Sequence, residues 1–87
     1  MSGVEMKLQI SDLVRETLEL RGVREEDVSA VIRDAEEKGE KAYKGDRYMA
    51  NLRIGEATFH VEYSLGTGGI YLVHTAYVHK AMMTMGQ

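Results

Sequence analysis

The sequence predicts an α+β domain in which two N-terminal helices pack on a three-stranded antiparallel meander, with the first ten residues as a candidate extra edge strand. Three observations carry that class: apolar residues at helical spacing between residues 13 and 35, apolar residues at period two between residues 48 and 63, and a Gly-first two-residue loop, Gly55-Glu56, joining the two alternating runs. A chain of 87 residues, 44% apolar and 29% charged, is large enough for one core and is read as one domain, 1–87. No repeat or linker divides it.

Val4, Met6, Leu8 and Ile10 alternate with Glu5, Lys7 and Gln9, the pattern of an edge strand or extended arm. Ser11 or Asp12 can then accept from the free amides of a first helical turn, and Leu13, Val14, Thr17 and Leu18 recur on one face of a helix running to about Arg21. Gly22 can take the left-handed conformation that ends a helix, and Val23 can fold back on Leu18. Glu25, Glu26 and Asp27 suit the positive end of a second helix, whose Val28, Val31, Ile32 and Ala35 form one apolar stripe before a stop near Gly39. Two narrow stripes cannot close a core on each other, so a sheet must cover them.

That sheet begins with Tyr48, Ala50, Leu52 and Ile54, and continues with Ala57, Phe59, Val61 and Tyr63. The Gly55-Glu56 loop fits a type II′ turn and sets the register: Ile54 with Ala57, Leu52 with Phe59, Ala50 with Val61, Tyr48 with Tyr63. A Gly-rich connection, residues 64–69, leads to a third strand over Ile70 to His79 that is apolar on both parities, which leaves its register open. Residues 80–87, with Met82, Met83 and Met85, are expected to be a frayed tail or a contact surface.

Composition narrows the chemistry. Without cysteine the chain has no disulfide, thiolate metal site or nucleophilic thiol of its own. No apolar run is long enough to span a bilayer and no signal-like segment opens the chain, so a cytoplasmic protein with no membrane partner is expected. The formal net charge of −3, with basic residues interspersed among acidic ones along the chain, disfavours a nucleic-acid partner. Gly66-Thr67-Gly68-Gly69 precedes a strand, so it lacks the helix start a phosphate loop needs.

The histidines His60, His74 and His79 all fall in the second half. If Val61 pairs with Val73, His60 faces His74, with Asn51 on its other side and Glu62 nearby, a row able to shuttle protons or hold a metal. A one-residue slip undoes it, and packed or solvated sheet histidines are the plainer reading. Of the tyrosines, Tyr48, Tyr63 and Tyr71 share the inner parity and read as packing residues with hydroxyls at the rim. The charged run from Asp34 to Lys41 reads as a solvated helix end.

The segment from Leu20 to Val28, set between two helices and followed by an antiparallel sheet, resembles the helix-helix-sheet layout of small BrnT-like proteins of the RelE toxin superfamily. The resemblance implies a ribonuclease surface on which Arg47, Arg53, His60 and His74 would be the working residues; the acidic net charge departs from the usual toxin. A fainter similarity is to small domains accompanying iron-sulfur and flavin oxidoreductases of the glutamate-synthase type. It implies an accessory role, and any cluster would belong to the partner. The expectation is a non-catalytic interaction or accessory module without a cofactor, its partner another protein, with the toxin-like ribonuclease as the alternative and His60 and His74 as the weak metal candidates.

Overall fold

A computed structural model describes residues 7–80. In chain order the elements are β1 (Lys7–Gln9), α1 (Asp12–Arg21), α2 (Glu25–Lys38), β2 (Ala42–Lys44), β3 (Arg47–Ile54), β4 (Ala57–Leu65), a single 3-10 turn (Thr67–Gly69) and β5 (Ile70–Lys80). The strands form one sheet in the order β1-β5-β4-β3-β2, with β1 parallel to β5 and every other pair antiparallel. The expected three-stranded antiparallel meander is therefore corrected: it is the middle of a five-stranded mixed sheet.

Both added strands have physical causes. Lys44-Gly45-Asp46-Arg47 is a second Gly-first loop, with Gly45 at φ 65° closing a Lys44–Arg47 pair just as Gly55, also at φ 65°, closes Ile54–Ala57. It adds β2 as a short edge, and Tyr43 packs across on Tyr48. At the other edge Leu8 sits opposite Tyr71 and joins the core margin, and Ile10 is buried. Of the alternation expected from Val4, the described part, Lys7–Gln9, pairs with β5; Val4 and Met6 lie outside the described residues, as do Met82, Met83 and Met85 of the tail. Lys80, expected to fray, ends β5 opposite Ala57.

The helices form as their caps dictate. Ser11 Oγ accepts from the Val14 amide at 3.2 Å, and Gly22, at φ 74°, lets the Val23 amide reach back to the Leu18 carbonyl at 2.9 Å. Asp27, the one buried charge among the described residues, accepts from the Arg24 amide at 3.1 Å and so satisfies a free donor at the start of α2. Leu18, Val28, Val31, Ile32 and Ala35 meet Ala50, Val61, Tyr63, Val73 and Ala76 in one cluster; α1 lies over β5, and α2 over β3 and β4. Both helices thus cover the same face of the sheet. No helix among the described residues is long and apolar enough to cross a membrane.

The β3–β4 register agrees with the expectation at all four named pairs. The sequence leaves the β4–β5 register open. β4 runs on to Leu65, Tyr63 pairs with Val73, and a bulge beside Glu62 and Tyr63 sets Val61 opposite Ala76, so the conditional Val61–Val73 pairing does not form. The bulge keeps Val73 and Ala76 both buried although they lie three positions apart, which strict alternation cannot do.

Candidate functional site

Both helices lie on one side of the sheet, among the described residues no element covers its other face, and strand pairing arranges the side chains there in rows. Met49, Glu62 and Thr75 form one row across β3, β4 and β5; Asn51, His60 and Tyr77 the next; Arg53, Thr58 and His79 the third. Directly paired residues share a face, so these rows are side-chain neighbourhoods. The His60 ring stacks on Tyr77 with centroids 4.7 Å apart and planes 15° from parallel. A depression of about 170 Å³ is lined by Ala42, Met49, Asn51, His60, Glu62 and Tyr77.

The expected residues are all on this face but do not converge. Asn51 is opposite His60 and Glu62 is on the same side, as expected. His74 is not opposite His60: the bulge displaces it, Tyr77 takes its place, and His74 Nε2 instead sits 2.8 Å from Ser64 Oγ. Arg47 is engaged by Glu62 at 3.0 Å, and Arg53 Nε donates to the Gly55 carbonyl at 3.0 Å. Six residues along an extended strand put Arg47 and Arg53 roughly 20 Å apart. Among the described residues no group of three or more His, Asp or Glu is placed to hold a metal ion.

Charge is distributed by layer. Residues 11–40, which form the helices, hold ten carboxylates against five cations, whereas residues 41–80 hold five cations and all three histidines against three carboxylates. On the open side of β2, β3 and β4 the pairings place Lys44, Arg47 and Arg53 with Glu62 as the lone carboxylate, and that one is bound to Arg47. The interspersed charge expected from the chain is thus segregated by the fold.

The opposite face carries a second cluster that reads as structural. Tyr43, Tyr48, Tyr63 and Tyr71 form a continuous ladder across β2, β3, β4 and β5, with successive centroids 5.0, 5.6 and 5.8 Å apart. Tyr63 is fully buried and its hydroxyl donates to Glu36 Oε2 at 2.7 Å; Lys41 Nζ reaches the same oxygen at 2.6 Å and lies over the Tyr48 ring. Burial, and then the Glu36 acceptor and its charge, push the Tyr63 hydroxyl up, so it remains a donor. Burial also acts to raise Glu36, but the hydrogen bonds from Lys41 and Tyr63 together with the Lys41 charge outweigh it and hold the carboxyl below its ordinary range. The run from Asp34 to Lys41 is therefore not wholly a solvated helix end. Lys38 and Asp34 pair at the surface at 2.9 Å, while Glu36 and Lys41 turn inward onto the tyrosines.

A groove of about 420 Å³ separates the end of α1 from the start of α2. Most of its charged groups answer one another: Arg15 pairs with Glu25, and Arg24 with Glu26 and Asp27. The open sheet face is the better candidate, since among the described residues Lys44 and Asn51 there have no side-chain partner. Protein-family models, curated proteins and solved structures contain no match to this chain.

Proposed function

We propose that this chain is a small non-catalytic interaction module, acting in the cytoplasm, whose protein partner docks on the open face of the sheet. The observation that supports the reading is the composition of that face. Met49, His60 and Tyr77 form a partly apolar centre and cations stand around it, on a sheet whose other side is already filled by helices. Apolar centres with polar rims are the anatomy of docking surfaces. The alternative, a ribonuclease of the toxin type, draws on Arg47, Arg53, His60 and His74 sharing this face. Their separation and their local partners favour docking, because a scissile phosphate needs its base and its cation within hydrogen-bond reach of one site.

The reading is tested by photo-cross-linking in cells from a reactive residue placed at Met49, with one at Glu37 on α2 as control. The expected result is one adduct of constant mass from Met49 only, containing a protein that binds the purified chain at a fixed stoichiometry. Adducts from both positions, or none, would remove the reading. Cleavage of RNA by the purified protein that disappears in His60→Ala would replace it with the toxin-like one.

A further inference from the structure

The composition of the open face also specifies what its occupant must look like. We infer that this face takes an acidic polypeptide segment, whose carboxylates meet Lys44, Arg47 and Arg53 while its apolar side chains settle over Met49 and Tyr77. The inference rests on the interaction-module reading above and narrows it to one class of partner.

Charge carries the argument. The outward positions of β2, β3 and β4 hold three cations, and their single carboxylate, Glu62, is already committed to Arg47 at 3.0 Å. Lys44 stands beside Arg47 in the β2–β3 pairing, so an incoming carboxylate there meets two cations, with Glu62 bound to one of them and Asp46 in the turn that joins their strands. Arg53 gives one donor to the Gly55 carbonyl, and a guanidinium has further N–H groups to offer. A basic partner would bring like charges together on this face, and such juxtaposition opposes association.

Three other occupants fit less well. Single-stranded nucleic acid is held by successive bases stacking on a series of aromatic rings, and the outward rows offer the Tyr77 ring with one face already covered by His60. A second copy related by a two-fold axis would set these cations against themselves. A second copy docking its acidic helix layer here would make a head-to-tail contact, which propagates into rings or open chains. An acidic segment of a different protein satisfies the charge and ends the assembly at one contact.

The test uses the full chain labelled with nitrogen-15 and three probes: a synthetic amphipathic peptide of repeating Glu-Leu-Glu-Ala, its twin with Lys for Glu, and an oligouridylate. The acidic peptide is expected to shift amides of Lys44 to Arg53 and Thr58 to Glu62 and to leave α2 unmoved. The double variant Lys44→Glu, Arg53→Glu should weaken it at least about tenfold, and raising salt from about 50 to about 300 mM should weaken it too. Circular dichroism checks that the variant folds, and the neutral pair Lys44→Gln, Arg53→Gln provides the same test with a smaller perturbation. Equal shifts from the Lys twin overturn the acidic inference and leave the docking face standing. No shift on this face from either peptide overturns both. Tighter binding of the oligouridylate, or self-association by sedimentation that the double variant abolishes, overturns the inference in favour of nucleic acid or of a second copy.

Discussion

Replacing Tyr63 by Phe removes a single hydroxyl from the most enclosed tyrosine of the ladder and leaves the ring packing in place. The lost bond runs to a carboxylate at 2.7 Å. Hydrogen bonds to charged groups contribute about 1.5–3 kcal/mol net. The Glu36 side chain keeps 26% of its surface exposed and retains Lys41, so water and the ammonium offset part of the loss. The expected cost of Tyr63→Phe is therefore about 1–2 kcal/mol, which for a domain of this size lowers Tm by roughly 5–15 °C. A double-mutant cycle with Glu36→Ala isolates the bond, and its coupling should reach about 1 kcal/mol in urea unfolding followed by circular dichroism. The pH dependence has a defined sign. Because the folded-state pKa of Glu36 lies below its unfolded value, its stabilising contribution is full above the unfolded pKa and is lost as pH falls through the folded one. The deficit of Tyr63→Phe should thus be complete near neutrality and shrink below about pH 4. A coupling under about 0.3 kcal/mol, or a deficit unchanged down to about pH 3, would refute this account of the ladder.

Other outcomes follow from the same geometry. Gly22→Ala places a side chain at φ 74° and should cost about 1–2 kcal/mol by thermal unfolding, with the structure otherwise retained. Ile32→Ala, at a fully buried position under the sheet, should cost about 2–5 kcal/mol in urea unfolding. Arg47→Ala breaks a surface pair with Glu62 and should change stability by less than about 1 kcal/mol, so that any larger loss of partner binding reports on docking. Arg21→Ala should leave the monomer close to wild-type stability but raise self-association in sedimentation. Arg21 donates to the Ala76 carbonyl at 2.9 Å on the length of β5 that β1 does not reach, and an uncovered strand edge invites pairing.

The helices and the central hairpin were legible in the sequence because each is specified locally. Ser11 and Gly22 bracket α1 through contacts three to five residues apart, and Gly55 fixes four pairings through one turn. The sheet's outer strands were harder. β1 makes its pairs with Ile70, Tyr71 and Leu72, far along the chain, and nothing near Leu8 records a partner that distant. β2 did have a local signal in Gly45-Asp46, but a three-residue strand with every residue exposed lacks the apolar alternation that marks its neighbours. The β4–β5 register stayed open for a different reason: a bulge breaks the period on which reading a register depends, and β5, apolar on both parities, offers no polar face to expose the break.

The candidate face shows how much a net charge can conceal. A formal −3 spread along the chain argued against a nucleic-acid partner, and that inference treats the protein as a point. The fold divides it. Arg47 and Arg53 occupy the same strand parity as Met49 and Asn51, so once β3 alternates, both cations must leave the core on the side away from the helices. Ten of the carboxylates belong to the helical segment, placed there in part because Glu25, Glu26 and Asp27 favour the start of α2 and Glu36 anchors Tyr63. The acidity of the whole is thus a property of one layer, and the other layer is free to be basic. Parity alone would have shown this for β3, whereas Lys44 joins the face only through the turn at Gly45-Asp46. A basic face of this kind is recognised by applying the strand period to charge as well as to hydrophobicity.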